Sequence, residues 1–252
     1  MSTTTVDPVR PIRLSEAEIA RYHAEGFLQI PGVLDRDGVS AMYGEVLDVM
    51  QRIGGYETSK LRQSSQYLAG GMIDRVVNSA RLAELAGQLL GGPGSVYLPF
   101  TAVKGSGGGQ FHFHQDNNYT RFVGPGINMW IALEAMSPDN GCLMVVPRSH
   151  LQGTLASENA GEQDNHRKVT FTPDDFAAVR MAPGDCVAFT RDTVHGSGPN
   201  RSGATRVAYA VQYFRDDAEY IDRVTGERKS LLRESPYRIR IGPVSKIEAA
   251  GP

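Results

Sequence analysis

The segment at residues 108–119 reads GGQFHFHQDNNY and carries two of the chain's six histidines, His112 and His114, beside Asp116. On a strand, side chains two apart share a face. His114 and Asp116 can therefore hold neighbouring positions on one metal ion. A further histidine would complete a 2-His-1-carboxylate facial triad. That set leaves part of the coordination sphere open and suits non-haem Fe(II) oxygen chemistry. The downstream candidates are His150, His166 and His195. His195 is the strongest, because it follows APGDCVAFT, a turn and apolar strand, and opens the polar turn HGSGPN. Arg206 comes eleven residues later at the head of the next β-rich run. Its planar fork of donors suits a carboxylate clamped through both oxygens.

Alone, each of these residues carries little weight. H-x-D tripeptides recur on surfaces by chance, a lone turn histidine is common, and a lone strand-end arginine is ordinarily a surface ion-pair partner. Joined on successive β-segments, they favour the metal site. His112 shares the face of His114 and Asp116, so spacing does not exclude it as a ligand, and it is assigned either to the layer of residues behind the ligands or to the pocket wall. His150 is expected to orient a neighbouring loop. His166, in a polar stretch, is expected to be solvated.

The elements that must position these groups change character along the chain. Residues 1–12, polar with a threonine run and two prolines, are expected to be a loose tail. Residues 13–94 should be mainly helical support. Ser15 and Glu18 form a capping box. GFLQIPGVL at 26–34 gives a short strand and turn. A helix over 35–53 is predicted from Val39, Met42, Val46, Val49 and Ile53, and another over 80–90 from Leu82, Leu85, Ala86 and Leu89. From residue 95 to 214 the period becomes that of strands: SVYLPFTAV, QFHFHQD, NMWIALEAM, CLMVVP, DCVAFT and RVAYAVQYF. Val207, Tyr209, Val211 and Tyr213 should share one face. Many strands without intervening helices predict a mainly β chain with flanking α-helices, a jelly roll. Residues 1–252 read as one domain, with 215–252 as a C-terminal flanking segment. The glycine-rich KGSGGGQ at 104–110 lacks a phosphate-loop G-K-[ST] and reads as a flexible hairpin beside the site.

Bulk properties narrow the partners. The chain has 252 residues and a net charge of -2 with no long run of one sign, which argues against nucleic acid or an anionic membrane. No apolar stretch approaches the roughly 20 residues of a membrane span, and the N-terminus has no signal-peptide core. Two cysteines, Cys142 and Cys186, cannot build a disulfide framework. The expected setting is a reducing cytoplasm and the expected partner a small molecule. The oligomeric state is left open.

An ordered set of segments resembles the phytanoyl-CoA dioxygenase family of Fe(II)- and 2-oxoglutarate-dependent oxygenases. The set is GFLQIPGVL, HQD at 114–116, WIAL at 130–133, NGCLMVVPRSH at 140–150, PGDCVAF at 183–189 and HGSGPNRSGATR at 195–206. The resemblance implies a double-stranded β-helix, the cupin-like jelly roll, with iron bound by His114, Asp116 and His195. It implies that 2-oxoglutarate chelates the iron and that Arg206 and Ser197 take its distal carboxylate, with Trp130 near the cosubstrate and a residue of 97–104 facing it. It implies use of O2 and release of succinate and CO2. Related halogenases have a small residue in place of the metal carboxylate, so Asp116 favours hydroxylation, with desaturation or rearrangement as variants. The family often has PGSH where this chain has PRSH at 147–150. Arg148 is expected to alter a substrate-side loop, and acyl-CoA specificity is not carried over.

The substrate pocket is expected to draw on Tyr97, Phe100, His112, Asn118, Tyr119 and Arg121, with residues 59–72 as a wall or lid. On a regular strand Tyr97 and Phe100 face opposite ways, so one of the two should line it. Two rival readings are a cupin-like metal enzyme without 2-oxoglutarate, which would leave Arg206 without a task, and a non-catalytic jelly-roll binding module, which would not need His114, Asp116 and His195 together.

Overall fold

Strand alternation sorts the chain's side chains into two layers. In β12 (Arg206–Arg215), Val207, Tyr209, Val211 and Tyr213 enter one core cluster, while Ala208 and Ala210 enter another. Neighbouring strands divide the same way. Ile127, Met129 and Ile131 of β5 (Gly126–Ala132) face the first cluster, and Trp130 and Ala132 the second. Cys186 and Ala188 of β10 (Cys186–Thr190) oppose Val187 and Phe189. A strand buried on both faces reads as a near-continuous apolar run, as these do.

The computed structural model describes residues 6–55, 61–161 and 164–234. Its larger sheet runs β1 (Phe27–Ile30), β10, β5, β12, β2 (Gly94–Lys104), and the smaller one β3 (Phe111–His114), β11 (His195–Ser197), β6 (Leu143–Val145), β9 (Ala177–Ala178). All of these neighbours pair antiparallel. Between the sheets lies the second cluster, which joins Trp130, Phe189 and Ala208 to Leu143 and Val145. Outside the larger sheet, α1 (Glu16–Glu25), α2 (Arg36–Arg52), α3 (Met72–Val77) and α4 (Ala80–Leu90) supply the first cluster. This is a jelly roll with helices on one side. Ser15 and Glu18 form the capping box at the start of α1, and Asp35 caps α2.

Two expectations about loose segments are corrected. Residues 6–12 are not loose. Val9 is fully buried and bridges Leu34, Arg10 N–H donates to Val33 O at 2.9 Å, and Asp7 accepts from Ser79 Oγ at 2.7 Å. The expected tail over 1–5 lies outside the described residues. The glycine-rich loop is tied rather than free. Gly107 N–H donates to Asn200 O, Asn200 N–H to Gly108 O, and the Lys104 ammonium to Gly109 O and Gly198 O.

Beyond β12 a small sheet of β14 (Arg228–Ser230), β13 (Glu219–Ile221) and β4 (Phe122–Val123) packs with α5 (Leu231–Glu234) against Tyr97 and Phe214. A polar hairpin, β7 (Ser157–Gly161) with β8 (Asp164–Val169), stands beside β3. Residues 235–252 of the flanking segment, and residues 59–60 of the expected wall, lie outside the described residues.

Candidate active site

β3 and β11 meet where the candidate ligands lie. His195 pairs with His114 and Ser197 with Phe111, so His112 and Phe113 together oppose Gly196. This is a β-bulge, and it reverses the alternation across it. Phe111 and His114 both line the interior, whereas His112 lines a separate surface cavity with Lys168 and Thr170. His112 is therefore not on the face of His114, which corrects the expectation. Gly196 permits the bulge: a Cβ there would sit 2.9 Å from Phe111 O and 3.2 Å from Phe113 N. The strand also ends earlier than expected. Asp116 opens a 3-10 turn, Asp116–Asn118, with Asn118 Oδ1 accepting from Gln115 N–H at 3.1 Å.

His114, Asp116 and His195 are buried, and their ligand-capable atoms lie within 4.8 Å of one another. His195 Nε2 is 4.0 Å from Asp116 Oδ1. Each imidazole donates its Nδ1–H to a backbone carbonyl, His114 to His112 O and His195 to Thr193 O, both at 2.9 Å. That fixes the tautomer and turns both Nε2 lone pairs to the centre. Burial, reinforced by the neighbouring His195, lowers His114 to about 3, and burial lowers His195 as well. Both rings are neutral at neutral pH, the form a metal requires. The donor set fits a divalent non-haem iron.

Asp116 Oδ2 faces away from the histidines into a buried polar cluster. It accepts from Gln212 Nε2 at 2.9 Å and Asn128 Nδ2 at 3.3 Å. Gln212 Oε1 accepts from Arg191 Nη1 at 2.9 Å. Arg191 also donates to Asp116 O, Thr120 O and Asn117 Oδ1, beneath the Phe122 ring.

Next to the histidines is a narrow cavity walled by Phe100, Ala102, Trp130, Leu143, Ser197 and Arg206. Arg206 is 1% exposed, its Nε has no hydrogen-bond partner among the described residues, and its guanidinium stands 5.3 Å from the Trp130 ring centroid. The buried Ser197 hydroxyl likewise has no partner among the described residues. Burial pulls Arg206 down to about 10. Glu134 offsets that burial only in part, and a buried cation without a fully matched anion is costly. A cation and a hydroxyl left unsatisfied in one cavity fit an anionic ligand that arrives with its own acceptors.

A larger cavity of about 380 Å³ adjoins it, sharing His114, Asp116, Phe100, Phe111 and Gln63. Tyr97, Leu98, Tyr119, Thr120, His166, Arg191 and Gln212 complete its wall with Ser64 and Ser65. Tyr97 and Phe100 both line it. Gln212 pairs with Leu98 but Tyr213 with Val96, so Tyr97 is an extra residue whose bulge turns it to the side of Phe100. Residues 61–65 of the expected wall run along β2, bonded between Arg62 and Val103 and between Ser64 and Thr101.

Two other expected pocket residues do not line this cavity. Asn118 is spent on the turn and on Leu155 O, and Arg121 is exposed. His166 is not simply solvated. Its ring lies 4.7 Å from Phe111, and its Nδ1 is 3.4 Å from the Tyr119 hydroxyl. His150 Nε2 donates to His23 O at 2.9 Å, tying its loop to α1 as expected. Arg148 meets the end of α1 instead of a substrate-side loop, with its N–H on Glu25 O at 2.9 Å. Among the described residues it is the one non-glycine residue with positive φ, +60°. Sequence reading overlooked Asn128 and Gln212, although each is a polar break in an apolar strand. It also overlooked Arg191, for which the sequence carries no comparable signal.

Residues 22–208 match the family model described as "Phytanoyl-CoA dioxygenase (PhyH)". The chain is 25% identical over 214 residues to the methylphosphonate hydroxylase of Gimesia maris, covering 79% of this chain and 80% of that protein. It is 30% identical over 115 residues to the phytanoyl-CoA dioxygenase of Arabidopsis thaliana, a match that spans 44% of this chain and 40% of that enzyme. Its fold is similar to that of the epimerase SnoN, crystallised with Fe3+, alpha ketoglutarate and nogalamycin RO. The TM-score is 0.68 and the identity 23%, over 86% of this chain and 92% of that one.

Proposed function

The chain belongs to the phytanoyl-CoA dioxygenase family of Fe(II)- and 2-oxoglutarate-dependent oxygenases, and from that premise we propose that it hydroxylates an unactivated C–H bond of a small organic molecule. In this reading His114, Asp116 and His195 bind the iron. Arg206, with Ser197, holds the distal carboxylate of 2-oxoglutarate, and Trp130 and Phe100 wall the cosubstrate cavity. The observation that carries the reading is a buried His-Asp-His cluster that shares one cavity with a buried Arg206 whose Nε has no hydrogen-bond partner among the described residues.

When bound, iron with 2-oxoglutarate and O2 supplies an oxidant for C–H bonds, consuming one 2-oxoglutarate to succinate and CO2 for each hydroxyl delivered. This chain's residues prepare that chemistry. The carbonyls of His112 and Thr193 orient the imidazoles, and the dry cavity strengthens the pairing of Arg206 with a carboxylate. Asp116 supplies the metal carboxylate, which favours hydroxylation over halogenation.

Substrate would occupy the larger cavity, against Tyr97, Phe100, Tyr119 and His166. About 380 Å³ is far more room than methylphosphonate needs, and Arg191 is already engaged by four acceptors. We therefore place the substrate among larger, natural-product-like molecules with ring and hydroxyl or amide character. Among the described residues no helix is long and apolar enough to cross a membrane. A net charge of -2 and two buried free thiols support a small-molecule partner and a reducing, cytoplasmic setting.

The test is anaerobic addition of Fe(II) and 2-oxoglutarate to metal-free protein, reading the weak visible charge-transfer band of the chelate. A band is expected in the parent, weakened in Arg206→Ala and lost in Asp116→Ala. Stoichiometric iron binding without a band would sink the 2-oxoglutarate assignment.

A further inference from the structure

We propose that Gln212 is a positioning residue that keeps Asp116 a one-oxygen metal ligand, and that Arg191 fixes the orientation in which Gln212 does so. The inference rests on the metal reading above. Gln212 lies on the inner face of β12, 4% exposed, and a buried amide needs partners for both its ends. An amide can be turned either way round, and here its neighbours decide. A guanidinium only donates, so the atom facing Arg191 Nη1 must be the carbonyl Oε1. The amide N–H is then directed at Asp116 Oδ2. The opposite orientation would set donor against donor at Arg191 and carbonyl against carboxylate at Asp116.

Arg191 is itself immobilised. It is 3% exposed, lies 3.9 Å from the Phe122 ring centroid, and donates to Asp116 O at 3.0 Å, Thr120 O at 3.1 Å and Asn117 Oδ1 at 3.2 Å. One buried cation thus holds the ligand residue's backbone directly and its side chain through an amide. With Asn128 as second donor, Oδ2 is occupied twice. Oδ1, the oxygen 4.0 Å from His195 Nε2, is the one that would meet a metal. A carboxylate held this way would use one coordination position and leave the rest of the open face for cosubstrate and O2.

The experiment is a Co(II) titration of metal-free protein without 2-oxoglutarate, reading the visible d–d absorption and the Kd, with thermal unfolding of each metal-free protein alongside. Gln212→Met keeps the bulk and removes the donor. Gln212→Glu keeps an acceptor for Arg191, which protects the fold, and can donate to Asp116 Oδ2 only while its carboxyl is protonated. Gln212→Met should bind Co(II) ~10–100-fold more weakly and show a displaced d–d band as the carboxylate swings, whereas Gln212→Glu should move toward the parent as pH falls and its carboxyl takes a proton. A parent-like band and Kd in Gln212→Met, with or without a lower Tm, would mark Gln212 as a structural partner of Arg191 and overturn the proposal. If the parent binds no Co(II), or binds it equally well as Asp116→Ala, the metal reading fails, and the positioning role falls with it.

Discussion

Replacing Arg206 with methionine should separate two effects that ordinarily travel together. The guanidinium is 1% exposed, and burial takes it from 12.5 to about 10 even with Glu134 nearby. At 1.36 kcal/mol per tenfold, holding it charged in the ligand-free fold costs roughly 3 kcal/mol. This cost is present in full at neutral pH, below both values. Methionine removes it and also forfeits the Trp130 contact, worth about 1–2 kcal/mol when desolvated. Ligand-free Arg206→Met should therefore be as stable as the parent or about 1–2 kcal/mol more stable, raising Tm by about 2–8 °C for a chain of this size. The cosubstrate should suffer the opposite. Removing one partner of a buried ion pair costs about 3–5 kcal/mol, so 2-oxoglutarate affinity should fall ~100–5000-fold. Calorimetry of the metal-loaded, oxygen-free protein gives the affinity, and thermal melts with and without 2-oxoglutarate give the stability. The parent should gain Tm on adding 2-oxoglutarate and the variant should not. A variant that is clearly less stable without ligand yet binds 2-oxoglutarate like the parent would refute the reasoning. Arg206 would then be a structural cation.

The metal-free protein should lose stability as pH falls below 6.5. The unfolded chain takes up a proton there that folded His114, lowered to about 3, refuses. By pH 5 that amounts to roughly 2 kcal/mol from His114 alone. Urea melts at pH 7 and 5 with His114→Asn as control check it, and equal losses in parent and control would count against it. Arg148→Gly should stabilise the chain by roughly 1 kcal/mol, because a side chain at φ +60° is strained where glycine is not; a melt showing no gain would refute it. His166→Phe should raise the KM for substrate while leaving the Fe(II)–2-oxoglutarate band unchanged, because His166 lines the larger cavity and not the narrow one. A weakened band would place His166 on the cosubstrate instead.

Much of the fold is legible in the sequence because its signals are local. Alternation in 206–214 separates Val207, Tyr209, Val211 and Tyr213 from Ala208 and Ala210, and the structure buries these two sets in different layers. The capping box at Ser15 and Glu18 and the helix over 80–90 need no distant partner to be seen. The juxtaposition of His114, Asp116, His195 and Arg206 is readable from residue type, spacing and order along successive strands. Short or polar elements are not. α3 is too brief to show a period, and β7 and β8 are too polar to read as strands.

What the tertiary structure alone decides is which way certain side chains face and what surrounds them. His112 leaves the face of His114, and Tyr97 joins that of Phe100, because each strand carries one residue more than its partner. A bulge belongs to a pair of strands, and neither strand's sequence contains it. The donors on Asp116 come from β5, β12 and the loop after β10, so Asn128, Gln212 and Arg191 converge only once the larger sheet is assembled. The sequence determines which groups can do the chemistry, since residue type and local period are written in it. Register and sheet packing determine how those groups are aimed, since each depends on contacts between residues far apart in the chain.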